Sequence, residues 1–230
     1  MVEWTSQGRL APELLSFDVF GTLVDIRTNS YAAFQSMLTD CGAGNIDVQV
    51  FWEHWEERNV AHYWEPYRRY RDICELSLAE TFDHFAIKGA SRLIERYFDA
   101  FPRVTLFPDV APTLDRLAQR YRLAVVSNID DDLFAATPLG RTFDLVCTAE
   151  RAKGYKPDGT LFRDLIARAG CGLDDILHSG QSQFTDMVGG KPLGLTIAWI
   201  NRRGIGLHAS VPKPDYELAN VAAVLGLVKS

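Results

Sequence analysis

The sequence predicts an α/β fold, a parallel sheet with helices on both faces, interrupted by an all-helical insertion. Two observations predict it. Five short apolar runs alternate with amphipathic helical segments over residues 1–26 and 101–230. Residues 27–100 break that alternation, read as helices throughout and are rich in aromatics. The chain has 230 residues, 47% of them hydrophobic, which suits one domain carrying a smaller insert.

The first run, LLSFDVF (14–20), leads directly into the turn signal Gly21-Thr22. RLAVVSN (122–128) ends in Ser127-Asn128, and FDLVCTA (143–149) is short and β-rich. DILHSG (175–180) ends in Gly180, and LTIAWIN (195–201) in Asn201 and two arginines. Between them, 109–121 carries apolar residues at 110, 114, 117 and 118, a helical stripe. A second helix over 158–169 stops before Gly170, a helix-end signal. Strands alternating with helices in this way imply a parallel sheet covered on both faces. Within the insertion, Trp52, Trp55 and Tyr63 share one helical face, and Pro66 begins a new helix carrying Tyr67 and Tyr70. These rings either form the insertion's own core or line a pocket facing the sheet.

Composition narrows the function classes. A net charge of −6 argues against nucleic acid, whose phosphates call for a basic face. No run of 18 apolar residues is present to span a membrane, and the amino-terminal MVEWTSQGRLAPELL lacks the basic-then-apolar order of a signal peptide. Cysteines at 41, 74, 147 and 171 form no C-x-x-C pair, which reads as free thiols in a reducing cytoplasm.

In an open α/β sheet, ligands bind beyond the carboxyl ends of the strands. Asp18 stands near the end of the first strand, Ser127 and Asn128 end the next, and Gln181 and Ser182 follow Gly180. Lys156 lies in the loop before a helix, and Asp186 a few residues past Gln181. Parallel strands bring these distant positions to one edge. A carboxylate at such an edge, like that of Asp18, is reactive only while ionised. Lys156 supplies the opposite charge that keeps it ionised. Thr22 and Ser127 offer hydroxyls for substrate oxygens, and Asp186 can orient Lys156 or a hydrolytic water. Gln181, Ser182 and Gln183 either line a pocket or shape the loop.

At these residues the chain resembles a known family. S-F-D-V-F-G-T-L (16–23) resembles motif one of the haloacid dehalogenase superfamily, V-V-S-N (125–128) its motif two, and G-Y-K-P-D (154–158) its motif-three lysine. G-Q-S-Q-F-T-D (180–186) resembles a variant motif four, and W-I-N-R-R-G (199–204) the strand that follows. The resemblance implies a Rossmann-like catalytic core over 1–26 and 101–230, with a helical cap domain over 27–100. It implies Asp18, Lys156, Asp186 and Ser127 as catalytic residues, with Phe20, Thr22, Asn128, Gln181 and Gln183 around the substrate.

Two departures separate the chain from the family's phosphatases. Their second Asp, general acid for the leaving oxygen, is here Phe20, and their metal-binding Asp after the motif-four glycine is here Gln181. Asp18 and Asp186 are the carboxylates left for a hard cation such as Mg²⁺. The pattern is most similar to the L-2-haloacid dehalogenases, which need neither residue and no cofactor, because halide leaves without protonation. Those enzymes hold the substrate with a cap arginine, and Glu56 stands at that position. Arg58 points about 160° away from it at ~100° per residue. Arg27, Arg68, Arg69 and Arg71 are the candidates to take over, because a guanidinium binds a carboxylate bidentately. His178 is a further candidate, although a lone strand histidine is more often structural. The implied function is a hydrolase that cleaves the carbon–halogen bond of a small organic acid through an aspartyl ester. A phosphatase with an aspartyl-phosphate, using Mg²⁺ on Asp18 and Asp186, and a non-catalytic ligand-binding member are the alternatives. The implied partner is a small anionic substrate, and a homodimer is compatible with this size.

Overall fold

In the computed structural model, which describes residues 9–229, the apolar runs become a six-stranded parallel sheet. The first eight residues of the amino-terminal stretch read above lie outside the described residues. Strand β1 (Leu14–Phe17) is central. A short β2 (Val24–Asp25) pairs antiparallel with β3 (Thr105–Leu106), and this ribbon leads the chain out to the helical insertion and back. The sheet is completed by β4 (Arg122–Ser127), β5 (Leu145–Thr148), β6 (Ile176–Gly180), β7 (Thr196–Ile200) and β8 (Tyr216–Leu218). Its order is β5-β4-β1-β6-β7-β8, so the chain leaves β1 toward one edge and then returns to fill the other.

The helices follow from local signals and from one distant one. Helix α1 (Ile26–Asp40) is capped by Asp25, which accepts from Thr28 N–H, and α2 (Val48–His62) by Asp47, which accepts from the N–H groups of Gln49 and Val50. Helix α3 spans Tyr70–His84 and α4 Glu95–Phe98. The expectation that Pro66 opens a helix is corrected, because α3 begins four residues later. The side chain of Asp130, 60 residues along, accepts from Tyr70 N–H at 2.9 Å and Arg71 N–H at 3.1 Å. Nothing local in the sequence carries that cap. In the sheet domain follow α5 (Val110–Leu117), α6 (Asp131–Ala136), α7 (Ala149–Ala152) and α8 (Thr160–Ala169), the last closed by Gly170 as expected.

Both faces of the sheet are buried, and side chains alternate between them with the strand period of two. Leu15, Phe17, Leu123, Val125, Leu177 and Ile200 face a core filled by Val110, Leu114 and Leu117 of α5 and Leu133 of α6. Leu14, Ala124, Val126, Ile176, Ile197 and Trp199 face the other, filled by Leu161, Phe162 and Leu165 of α8. Each buried aliphatic or aromatic side chain contributes about 1.5–3 kcal/mol. The first core is continuous with the aromatic rings of the insertion, where Trp55 packs 4.9 Å from Phe34 and 5.1 Å from Tyr97. The two readings of these rings therefore merge. Trp52, Trp55 and Tyr63 are buried, and all three also line a cavity.

The sixth strand, β8, escapes the sequence because it is a three-residue edge strand with a half-exposed tyrosine and no apolar run. All four cysteines are unpaired. Among the described residues no helix is long and apolar enough to cross a membrane.

Candidate active site

The carboxyl edge of the sheet carries the residues singled out by sequence. Strand β1 stops at Phe17, and the backbone N–H of the next residue, Asp18, donates to Ser179 O on β6 at 2.9 Å. This fixes the aspartate at the sheet's end. Thr22 Oγ1 donates to Asp18 Oδ2 at 2.6 Å, and Lys156 Nζ donates to Asp18 Oδ1 at 2.5 Å. Lys156 reaches this point because its own N–H donates to the Asn128 side-chain carbonyl at 2.9 Å. Its ammonium also lies 2.8 Å from Asp186 Oδ1, so one buried cation serves two carboxylates.

Asp186 is fully buried behind the lysine and does not border the cavity. Ser182 N–H donates to its Oδ2 at 2.9 Å, and His178 Nε2 donates to its Oδ1 at 3.2 Å. On the far side His178 Nδ1 meets Ser16 Oγ at 2.9 Å. A Cβ on Gly180 would sit 2.3 Å from Asp186 Oδ2, so the carboxylate packs directly against a bare backbone. Electrostatics separates the two aspartates. Burial raises the pKa of Asp18, Lys156 opposes that, and the neighbouring Asp186 charge adds to it. For Asp186 the desolvation penalty is outweighed by Lys156 and His178, which hold it well below the usual carboxylate range. Lys156 is held above its ordinary value, because the two carboxylates outweigh its own desolvation. The group facing the cavity is thus the more basic carboxylate, and the sealed one is a permanent counter-charge.

A cavity of about 470 Å³ lies between this edge and the helical insertion. Asp18, Phe20, Ser127, Asn128, Lys156 and Gln181 border it from the sheet. Ser127 Oγ is buried without a hydrogen-bond partner, although buried hydroxyls normally have one. Thr22 stands behind Asp18 and also accepts from Gln181 N–H at 3.0 Å. Gln183 is elsewhere. Its amide donates to Gly206 O at 2.8 Å and its carbonyl accepts from His208 N–H at 2.7 Å, so it pins the loop after β7 and does not line the cavity.

The candidate arginines divide clearly. Arg58 pairs with Glu80 at 2.6 Å, Arg69 with Asp130 at 3.5 Å and Arg71 with Asp132 at 2.8 Å, while Arg68 lies 3.5 Å from Glu65. None of the four lines the cavity, and Arg27 does. Its guanidinium stacks over the Trp52 ring at 4.7 Å. Arg203 borders the same space and was missed. Its only signal was the arginine pair at the end of W-I-N-R-R. Of that pair, Arg202 is tied to Asp109 at 2.8 Å and to Thr22 O at 2.9 Å. Glu56 also faces the cavity, and burial pushes its carboxyl up to about 7 against the opposing pull of Arg27 and Arg203.

The donor set does not fit a divalent cation. Its two candidate carboxylates, Asp18 and Asp186, are bridged by an ammonium, and the flanking positions are Phe20 and Gln181. Among the described residues no cluster of three or more His, Cys, Asp or Glu side chains is placed to hold a metal ion.

Known proteins share this fold. Residues 15–200 match the family described as haloacid dehalogenase-like hydrolase. The chain is 24% identical to (S)-2-haloacid dehalogenase 4A of Burkholderia cepacia, with 88% of this chain and 86% of that one covered. It is 25% identical to haloacetate dehalogenase H-2 of a Moraxella species, covering 94% and 97%. Its fold is similar to that of the L-2-haloacid dehalogenase of Xanthobacter autotrophicus, solved with chloropropionic acid covalently bound. That comparison has a TM-score of 0.77 and 19% identity, over 93% of this chain and 96% of that one. With motif order, sheet topology and the family match in agreement from β1 to β7, the chain belongs to the haloacid dehalogenase-like hydrolases.

Proposed function

We propose that the protein hydrolyses the carbon–halogen bond of a 2-haloacid through an ester on Asp18. The observation that carries this reading is the environment of Asp18, a basic carboxylate facing a cavity with donors on both oxygens and no acid at position 20. In the first step the Asp18 carboxylate attacks carbon 2, a carbon–oxygen bond forms, and halide departs with the bonding pair. Halide needs no proton, so Phe20 in place of a general acid is no handicap. In the second step water attacks the Asp18 carbonyl carbon, the bond from that carbon to the ester oxygen breaks, one water proton goes to the departing 2-hydroxyacid oxygen and the other to solvent, and the carboxylate is restored. Lys156 and Thr22 already point at the two oxygens of that carboxyl group, so negative charge developing there meets preorganised donors. Arg27, from α1, and Arg203, from the loop after β7, offer the substrate carboxylate its counter-charge. Asp186, saturated by donors, serves to hold Lys156 and is a poor candidate to activate water. The phosphatase alternative is disfavoured by the donor set, because phosphoryl transfer in this family relies on the carboxylates that Phe20 and Gln181 replace.

The test is halide release from both enantiomers of 2-chloropropionate, followed by turnover in H₂¹⁸O and mass analysis of the Asp18 peptide. Halide release with heavy oxygen in that peptide is the expected result, and Asp18→Asn should lower the rate by at least ~10³-fold. Absence of halide from a broad panel of 2-haloacids, with no label at Asp18, overturns the proposal.

A further inference from the structure

The wall of the cavity opposite Asp18 holds an acid where the dehalogenases resembled above use an arginine. Glu56 on α2 borders the cavity, and its carboxyl makes no hydrogen bond or ion pair with another described residue. The same wall carries three buried polar atoms without partners: Trp52 Nε1, Asn59 Oδ1 and Tyr31 Oη. Arg27 reaches the cavity from α1 and Arg203 from the loop after β7, and neither guanidinium is hydrogen-bonded to a described residue. Two guanidiniums and a carboxyl without hydrogen bonds or ion pairs among the described residues, together with unsatisfied dipoles around one space, describe a polar ligand's seat.

We propose that Glu56 contacts the substrate's anionic head as the neutral acid, so that binding of the anion takes up one proton. This rests on the reading of the ligand as a carboxylate. With its proton on, Glu56 adds an O–H donor to the two guanidiniums. Ionised, it would set a like charge beside the incoming carboxylate and compete with it for both arginines.

The surroundings make the proton available. Burial and the nearby Glu53 of the same helix favour the neutral form, and Arg27 and Arg203 oppose it, which leaves the carboxyl at about 7. Tyr31 of α1, Tyr63 at the end of α2 and Tyr97 of α4 are the other titratable groups facing it, and burial raises the pKa of all three. None of those phenols titrates near neutrality. A bound anion pushes the Glu56 carboxyl higher still. The sign follows. Below about pH 7 the group is already neutral, and affinity for the anion is constant. Above it a proton must be recaptured, so Kd rises by up to about tenfold per pH unit until the pKa of the complex is reached.

The experiment titrates the protein with propionate, which carries the carboxylate and no leaving group, by calorimetry from pH 6 to pH 9. Two buffers of different ionisation enthalpy report the protons taken up. We expect uptake approaching one proton on the alkaline side of neutrality, with Kd climbing there. Glu56→Gln keeps a neutral donor of the same shape. With an unchanged Tm as the check on folding, it should hold Kd within about threefold across the range and abolish proton uptake. Uptake near zero in the native protein, a pH slope that survives Glu56→Gln, or no propionate binding at pH 6 overturns the proposal. Halide release measured separately keeps the two readings apart. Proton-coupled anion binding without dehalogenation removes the proposed reaction alone, and dehalogenation with pH-independent binding removes this role of Glu56 alone.

Discussion

Replacing Lys156 by Met removes the one cation between two buried carboxylates while keeping most of the side-chain volume. Lys156 is 1% exposed, Asp18 6% and Asp186 0%, so bulk solvent compensates little for the lost contacts, least at the sealed Asp186. Breaking a buried ion pair from one side costs about 3–5 kcal/mol, because the partner is left charged and unmatched. Here the ammonium serves both carboxylates, at 2.5 and 2.8 Å, which points to the upper end, about 5 kcal/mol. A chain of this size loses about 2–4 °C in Tm per kcal/mol, so we expect a fall of roughly 10–20 °C at pH 8. The loss should depend on pH with a definite sign. Without Lys156, the folded-state pKa of Asp18 rises further above its unfolded value. Such a group penalises the fold increasingly as pH rises and ceases to do so once both states are protonated. The gap between variant and native protein therefore narrows from pH 8 to pH 5. Adding Asp18→Asn removes one of the two unmatched charges and should recover a large part of the loss without any halide release. Thermal melting followed by circular dichroism measures all of this. A Lys156→Met protein that melts within about 2 °C of the native one at pH 8, or a gap that ignores pH, would refute the shared-cation account.

Two further outcomes follow from how the site is supported. Asp130→Ala strips the acceptor from the first two N–H groups of α3, which carries Tyr70 on the cavity wall; we expect about 1–2 kcal/mol of lost stability by denaturant titration and a KM that rises more than kcat falls. Gly189→Ala would drive a Cβ to within 1.7 Å of the Lys156 carbonyl oxygen; the strain costs about 1–3 kcal/mol or more, and the displaced lysine should lower kcat more than it raises KM, as steady-state halide release would report.

What the sequence made legible is what parallel-sheet physics forces. The four central strands had to be apolar on both faces, so they read as continuous runs, and each ended near a polar residue that the topology then gathered at one edge. Asp18 and Lys156 are 138 positions apart and still touch. What stayed hidden depended on partners distant in the chain. The start of α3 is set by Asp130, and no residue near Pro66 signals it. Gln183 looked like pocket lining, but its amide satisfies backbone groups at 206 and 208, and only the path of that loop decides this. Arg203 is an ordinary loop arginine by composition, and its role depends on β7 ending beside the gap between sheet and helices.

In the proposed reaction, the charges in the cavity also account for how an anionic nucleophile could meet an anionic substrate. On the sheet side, Asp18, Asp186 and Lys156 together carry a single net negative charge, already saturated by donors from Thr22, Ser182 and His178. Facing them are Arg27 of α1, stacked on Trp52, Arg203 of the loop after β7, and an acid on α2 that burial keeps close to neutral. A carboxylate entering this field is drawn to the arginine wall and repelled from the aspartate edge. Its electrophilic carbon, one bond away, is left as the part of the molecule nearest Asp18. In that reaction the field would favour an orientation of the substrate that holds its reacting carbon toward Asp18, a contribution of positioning. An arginine at position 56 would add a third cation to that wall and bind the carboxylate at any pH. As proposed for Glu56, a carboxyl group there leaves the two arginines fully available only while it holds its proton, and weakens the attraction once ionised.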